Sequence, residues 1–299
     1  MNIGSVHRAL KHIGVPRSWR DTVATTAKSL ASPAERGKRR DLASMVRDTS
    51  NSEASQKLKE QGWLSVTGPF GDGARVAAGR LSQEAENLRG AGKLTPPAGG
   101  NKASFFVPVL HNADFLAMAE IMDLVTCRDL VDLATGYFGE VPVLSDVCLR
   151  WSPVNDSAQS SQLFHRDEED ATQLKFLLHV TDVDPASGPF TVLSSRAAEK
   201  VYAATGRRFG RFSDEEVFAG LDNDALHAVT GPSGTLTCID TSRCLHFGSR
   251  GNEEERLALF FQYTRFLAPL SPTPDWGPGL AQLLPTLDPM QRRLFGRSN

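Results

Sequence analysis

Three side chains in two segments of the sequence have the types and spacing to hold a metal ion. His165 and Asp167 stand two positions apart in FHRDEED, and His246 follows much later in CLHFGSR. Side chains at positions i and i+2 of a strand point to one face, so the first two can reach one ion without backbone strain. Two imidazoles and one carboxylate are the ligand set that holds non-haem Fe(II) and leaves three positions open. The sequence therefore predicts His165, Asp167 and His246 as metal ligands and catalytic residues of an oxygen-using enzyme.

The surroundings of these residues strengthen a motif that is weak by itself. An HxD tripeptide occurs by chance in many chains of this length, but here it leads into a β-rich half of the chain. Arg256 lies ten positions after His246, at the start of the apolar stretch RLALFFQY. Because a guanidinium binds a carboxylate bidentately, Arg256 is a candidate to anchor the far carboxylate of 2-oxoglutarate. An ion pair with the nearby Glu253 or Glu254 is the alternative role for Arg256.

The elements that must position these residues are mostly short strands. Segments of alternating or wholly apolar character, separated by turns such as DPASG and GPSG, predict strands at 141–151, 162–167, 173–181, 188–193, 225–230, 235–240, 244–247 and 256–265. Eight such strands favour a double-stranded β-helix, that is, a cupin-like jelly roll. A short strand at 61–66 and helices at 74–88, 113–124 and 128–138 precede them. The predicted fold class is α+β with a mainly β core, helices packed on one sheet and an N-terminal helical extension.

The N-terminal part differs from the rest in charge. Residues 1–47 carry ten Lys or Arg against three acidic side chains, with apolar spacing that predicts two short amphipathic helices. A polar stretch at 47–56 predicts a linker. We therefore expect a basic helical extension with its linker at 1–54 and the β-helix domain at 55–299. A solvated extension is favoured over a transit peptide or an arm that touches anionic surfaces.

Composition excludes several classes of protein. The 299 residues are 40% hydrophobic and 23% charged, with a net charge of -2, which is ordinary for a globular protein and gives no attraction to nucleic acid. No apolar run is long enough to span a membrane, and no secretory signal is visible. Four irregularly spaced cysteines fit reduced thiols, so a cytoplasmic location is expected. Composition makes no prediction of the oligomeric state.

Two longer stretches resemble a known family. FHRDEEDATQLKFLLHVTDVDPASGPFTVL (164–193) and IDTSRCLHFGSRGNEEERLALFFQY (239–263) resemble the phytanoyl-CoA dioxygenase-like branch of the Fe(II)/2-oxoglutarate-dependent oxygenases. The resemblance covers about 55–265 and leaves both ends of the chain unmatched. It implies iron binding by the predicted triad, 2-oxoglutarate binding by Arg256, and O2 as the second cosubstrate, with ascorbate as a stimulant. The expected partner is a small-molecule substrate, which would be hydroxylated with release of succinate and CO2.

The resemblance also places other polar residues near the expected pocket. Lys175, Ser249 and Thr241 are candidates to line the cosubstrate or substrate site, although a structural hydrogen-bonding role is the alternative for each. Asp167 fills the position that is small in halogenating relatives, so hydroxylation or a related oxidation is favoured over halogenation. Two other functions stay open: a cupin-like metalloenzyme of another class, which would have no use for Arg256, and a non-catalytic binding protein on the same fold.

Overall fold

The computed structural model describes residues 10, 15–46, 53–66, 71–95, 102–219, 221, 225–269 and 274–296. Within these residues the strands are β1 (Trp63–Ser65), β2 (Val107–His111), β3 (Val143–Ser152), β4 (Gln173–His179), β5 (Phe190–Leu193), β6 (Leu226–Val229), β7 (Leu236–Asp240), β8 (His246–Phe247) and β9 (Arg256–Thr264). The helices are α1 (Arg17–Ala31), α2 (Pro33–Met45), α3 (Glu53–Gln61), α4 (Gly71–Gly90), α5 (Lys102–Phe105), α6 (Ala119–Val125), α7 (Arg128–Phe138), α8 (Ser195–Thr205), α9 (Asp214–Phe218), α10 (Leu280–Leu283) and α11 (Pro289–Arg293).

The strands form two antiparallel sheets. The larger sheet has the order β1-β7-β4-β9-β3-β2, and the smaller has the order β6-β5-β8. Apolar side chains from both sheets pack between them, among them Leu177 and Phe260 from the larger sheet and Val192 from the smaller. Two such sheets in face-to-face contact form the predicted jelly roll.

Alternation along β4 separates the two faces of the larger sheet. Leu174, Phe176 and Leu178 belong to the main core, which they share with the apolar faces of α4, α6 and α7. Because successive side chains of a strand point to opposite faces, Gln173 and Lys175 project toward the interior of the jelly roll. The sheet is thus covered by helices on one side, and the α+β fold class predicted from the sequence is confirmed.

A buried arginine on α2 holds this helix against the β domain. Arg39 is fully buried and donates to the carbonyl oxygens of Val141, Pro142, Arg293 and Gly296 at 2.7–3.0 Å. A guanidinium that bonds four backbone carbonyls fixes the position of α2 against both β3 and the C-terminal helix. No helix in the described parts of the chain combines the length and apolar character needed to cross a membrane.

Several elements differ from the prediction. The segment 162–167 is not a regular strand: Phe164 and His165 each form an isolated β-bridge, to Phe212 and His246 respectively. Of the predicted linker 47–56, residues 47–52 lie outside the described part, and α3 already begins at Glu53.

Strand β2 and helix α8 are among the elements that were not predicted. Strand β2, which contains Pro108, lies at the edge of the sheet, where a residue without an N–H is tolerated. Helix α8 begins after Ser194, whose hydroxyl accepts from the Ala197 N–H, and ends at Gly206 with φ +67°.

Candidate metal centre and cavity

His165, Asp167 and His246 come together at one point inside the jelly roll. Nε2 of His165 lies 4.0 Å and Nε2 of His246 lies 3.8 Å from Oδ1 of Asp167. One ligand atom from each residue lies within 4.8 Å of the other two. This spacing and donor set suit a first-row transition metal such as Fe(II).

Backbone pairing holds the three residues in this arrangement. His165 and His246 exchange both backbone hydrogen bonds, at 3.0 and 2.9 Å, and the Asp167 N–H donates to the carbonyl oxygen of Thr241 at 2.9 Å. The HxD segment therefore runs alongside the 241–246 segment although it forms no continuous strand. The i, i+2 relation predicted from the sequence is realised through these isolated bridges.

Both imidazoles are oriented by backbone carbonyls. Nδ1 of His165 lies 2.9 Å from the carbonyl oxygen of Leu163, and Nδ1 of His246 lies 3.1 Å from that of Cys244. Because only an N–H can bond to a carbonyl, Nδ1 carries the proton and Nε2 keeps its lone pair. Burial lowers the pKa of His165 to about 3 and also lowers that of His246. Both rings are thus neutral near pH 7, as metal ligands must be.

The two oxygens of Asp167 have different surroundings. Oδ1 faces the two histidines, whereas Oδ2 accepts from the ammonium of Lys175 and, at 3.3 Å, from Nε2 of Gln173. Burial alone would raise the pKa of this carboxyl, but Lys175 and the two histidines outweigh burial and hold the pKa far below its usual range. Asp167 is therefore ionised and available as an anionic ligand.

The turn that leads into His246 is built on a buried aspartate. Oδ1 of Asp240 accepts from the backbone N–H groups of Ser242 and Arg243 at 3.0 and 3.1 Å, and Oδ2 accepts from the Tyr137 hydroxyl at 2.6 Å. Burial raises the pKa of Asp240 to about 6. Sequence analysis did not identify Asp240 or Tyr137, because their contact joins residues 103 positions apart.

A cavity of about 480 Å³ is lined in part by His165, Asp167 and His246. Its wall includes Lys175, Phe190, Gly248, Arg256, Phe260 and Gln262. The ring of Phe190 stacks on His246, with centroids 5.0 Å apart and planes at 20°. A Cβ at Gly248 would lie 3.6 Å from Phe190 and 3.7 Å from Nη2 of Arg256. His246, Phe190 and Arg256 thus follow one another along one wall of the cavity.

Arg256 is buried, and no carboxylate of the described residues pairs with it. Its side chain is 1% exposed, and Nη2 donates to the Ser249 hydroxyl at 3.0 Å. In the described part of the chain, Nε and Nη1 have no hydrogen-bond partner, and no ion pair joins Arg256 to Glu253 or Glu254. Burial lowers the pKa of Arg256 to about 10, which leaves it charged at pH 7. A buried guanidinium with unsatisfied N–H groups needs an anion.

The other predicted pocket residues occupy three different places. Ser249 is buried, with φ +58°, and its hydroxyl bonds both Arg256 and, at 2.7 Å, Ser152. Thr241 is fully buried, and its hydroxyl accepts from Gln173 at 2.9 Å. Lys175 lines the cavity. Sequence analysis missed Gln173, although its place on β4, two positions before Lys175, puts it on the same face.

The wall of the cavity formed by β2 and β3 carries a histidine–carboxylate pair. Nε2 of His111 lies 2.7 Å from Oδ1 of Asp146. The Val147 N–H donates to Oδ1 of Asn112 at 3.0 Å, which leaves the Asn112 amide nitrogen to donate to Nδ1 of His111 at 3.1 Å. Nδ1 is then an acceptor and Nε2 a donor, so the neutral tautomer of His111 is fixed. This wall offers hydrogen-bonding groups for a substrate.

No family model matches this chain, and no curated protein matches it in sequence. Solved structures do match. EctD from S. alaskensis with bound Fe is 18% identical with a TM-score of 0.51, over 75% of this chain and 80% of EctD. Its apo form is 18% identical with a TM-score of 0.50, over 77% and 83% of the two chains.

The epimerase SnoN in complex with Fe3+, alpha ketoglutarate and nogalamycin RO is also similar. It is 17% identical to this chain, with a TM-score of 0.46, and the match covers 70% of this chain and 81% of SnoN. At these identities the comparisons bear on the fold alone, and the two EctD structures, with TM-scores of 0.51 and 0.50, support a common fold. The chain shares the jelly-roll fold of EctD.

Proposed function

We propose that this protein is a non-haem Fe(II)/2-oxoglutarate-dependent oxygenase that hydroxylates a small molecule, and that it belongs to the phytanoyl-CoA dioxygenase-like branch. One observation carries the proposal. A two-histidine, one-carboxylate cluster lines the same cavity as a buried arginine, two of whose nitrogens have no partner among the described residues. The first fits a ferrous ion, and the second fits the carboxylate of an anionic cosubstrate.

The metal-binding role belongs to Nε2 of His165, Oδ1 of Asp167 and Nε2 of His246. In each side chain a hydrogen bond holds the other heteroatom, Nδ1 of the two histidines and Oδ2 of Asp167, and leaves the ligand atom free. When bound, a ferrous ion supplies the activation of O2 that amino-acid side chains cannot provide. EctD, which shares the fold, has been solved with bound Fe, and this agrees with iron as the metal here.

Arg256 binds the distal carboxylate of 2-oxoglutarate in this proposal. Ser249 accepts one N–H of Nη2, and the second N–H of Nη2 with the neighbouring N–H of Nη1 is the parallel pair that can donate to the two carboxylate oxygens. The low polarity around Arg256 strengthens this ion pair relative to one in water. Thr241 has a supporting role, because it bonds Gln173 and does not line the cavity.

The chain's residues also define where a substrate binds. A cavity of about 480 Å³ has room for 2-oxoglutarate and part of a small molecule. The wall with His111 and Asp146 lies on β2 and β3, where Asp146 is opposite Gln262 of β9, six positions along that strand from Arg256, and we assign the substrate to this wall. The overall reaction takes one oxygen atom of O2 into the hydroxylated product and the other into succinate, with release of CO2.

A cupin-like metalloenzyme of another class and a binding protein both fit the fold but leave Arg256 unexplained. A buried cation without a counter-ion is costly, so its presence beside the metal cluster favours an enzyme that uses an anionic cosubstrate. A panel of small molecules, incubated with protein, Fe(II), 2-oxoglutarate, ascorbate and O2, tests the proposal. We expect substrate-stimulated succinate formation that is lost in His165→Ala. Absence of succinate formation above the His165→Ala background, with or without any substrate, would contradict it.

A further inference from the structure

The two oxygens of the Asp167 carboxylate have different surroundings, and only Oδ2 is held by hydrogen bonds from side chains. Oδ1 points toward Nε2 of His165 and Nε2 of His246, at 4.0 and 3.8 Å. Oδ2 accepts from the ammonium of Lys175 and from Nε2 of Gln173. Only one carboxylate oxygen is therefore free to face the point where the two imidazoles converge.

Lys175 is placed for this contact by the sheet itself. It lies on β4, opposite Ile239 of β7 on one side and Gln262 of β9 on the other. With its side chain 22% exposed and that of Asp167 15% exposed, the pair is largely removed from solvent. An ion pair in such surroundings is weakly screened, so it restrains the carboxylate more than a surface pair would.

Gln173 supports the same oxygen from an adjacent position on the interior face of β4. Its Nε2 also donates to the Thr241 hydroxyl at 2.9 Å, and the Asp167 N–H donates to the Thr241 carbonyl. Asp167, Gln173 and Thr241 thus form a closed hydrogen-bonded group around Oδ2. Rotation of the carboxylate would break bonds in this group as well as the ion pair.

We propose that Lys175, assisted by Gln173, is a positioning residue that holds Oδ2 of Asp167 away from the metal, so that Asp167 binds through Oδ1 alone. This inference rests on the metal-binding part of the proposed function and assigns Lys175 to the metal centre, not to the cosubstrate. Single-oxygen binding matters because a six-coordinate ion with three protein ligands keeps three positions, two for 2-oxoglutarate and one for O2. A carboxylate that bound through both oxygens would occupy one of them.

The direct test measures metal affinity and geometry in the absence of turnover. Co(II) is titrated anaerobically into wild-type protein, Lys175→Met, Lys175→Arg and Gln173→Leu, with binding followed by calorimetry and by the visible absorption of Co(II). Loss of a residue that orients a metal ligand typically weakens metal binding by about 10- to 100-fold. We expect this loss in Lys175→Met, with a changed Co(II) spectrum, a smaller loss in Gln173→Leu, and substantial recovery in Lys175→Arg, which restores a cationic donor.

Two controls separate positioning from other effects. Lys200→Met removes an exposed lysine on α8 and should leave Co(II) affinity unchanged. Affinity for 2-oxoglutarate, measured at saturating Co(II), should stay within about threefold of wild type in Lys175→Met, because Lys175 acts on Asp167. Should Lys175→Met fail to fold, the soluble Lys175→Arg and Gln173→Leu variants give the same comparison of spectra.

The possible results distinguish this inference from the proposed function. Wild-type affinity and an unchanged Co(II) spectrum in Lys175→Met would overturn the inference. So would normal Co(II) affinity combined with a loss of 2-oxoglutarate binding, which would make Lys175 a cosubstrate contact. Wild-type protein that binds Co(II) but not 2-oxoglutarate would overturn the proposed oxygenase function and leave the role of Lys175 standing.

Discussion

Replacement of Arg256 by Met distinguishes a ligand-binding role of this arginine from a structural role. Among the described residues Arg256 makes one hydrogen bond, to Ser249, and no carboxylate there pairs with its buried charge. Its pKa of about 10, against 12.5 for a free guanidinium, means that burial disfavours the charged form. At about 1.4 kcal/mol for each pKa unit, the buried charge lowers the stability of the ligand-free protein by about 3 kcal/mol.

The same substitution should have opposite effects on stability and on cosubstrate binding. Arg256→Met removes the unfavourable buried charge and loses one hydrogen bond of about 1 kcal/mol, so the ligand-free protein should be as stable as wild type or more stable by about 2 kcal/mol. Binding of 2-oxoglutarate should lose two charge-assisted hydrogen bonds of about 1.5–3 kcal/mol each. The resulting 3–6 kcal/mol correspond to a rise in Kd of about 10²- to 10⁴-fold.

Two measurements on the same samples check this pair of effects. Urea unfolding of metal-free protein gives the stability change, and anaerobic calorimetry with Co(II) gives the 2-oxoglutarate affinity. Arg256→Lys should show an intermediate loss of about 10- to 100-fold, because a lysine keeps the charge but not the fork. Arg150→Met, which removes an arginine stacked 4.7 Å over Phe106 in the same cavity, serves as the matched control. Destabilised Arg256→Met with unaltered 2-oxoglutarate binding would show that Arg256 has a structural role and does not bind the cosubstrate.

Three further predictions concern the metal ligands, the pH dependence and the N-terminal helices. His246→Ala should abolish stoichiometric Co(II) binding while the fold persists, as judged by calorimetry and circular dichroism, and retained binding would exclude this ligand set. Burial and, to a smaller extent, the charge of Arg256 lower the pKa of His179 to about 4, so as the pH falls the unfolded chain, with a pKa of 6.5, binds a proton before the folded protein does. Metal-free wild-type protein should therefore lose about 2 kcal/mol of stability between pH 7 and pH 5 because of His179, and His179→Gln should remove that part of the loss. Urea unfolding at the two pH values measures it, and an unchanged loss in His179→Gln would contradict burial of a neutral ring. Arg39→Met should lower the free energy of unfolding by about 3–5 kcal/mol, because four backbone carbonyls lose their donor; a change below about 1 kcal/mol would show that α2 is not anchored there.

Local patterns were enough to predict the fold class. Apolar alternation and turn residues gave β3, β4, β5, β7 and β9 with bounds close to those observed. Helix α8 was missed although Ser194 and Gly206, its cap residues, were visible in the sequence. Strand β2 was missed because Pro108 argues against a strand, and only its place at the sheet edge makes the proline acceptable.

The candidate site was partly visible in the sequence. His165, Asp167 and His246 could be named because metal binding requires particular side-chain types at a particular spacing. The contacts of Gln173 with Thr241 and of Asp240 with Tyr137 could not be predicted, because residues far apart in the chain form them after the sheet has closed. Whether Arg256 pairs with a neighbouring glutamate or stays free likewise depends on where its side chain points, which no local pattern determines.

The histidine–aspartate cluster and Arg256 should form one binding site that takes a metal ion and 2-oxoglutarate together. Titration of 2-oxoglutarate into anaerobic protein, with and without Fe(II), measures whether they do. We expect stoichiometric binding that is strongly tightened by Fe(II), and loss of that tightening in Asp167→Ala. Equal affinity with and without Fe(II), or no binding in either case, would contradict it.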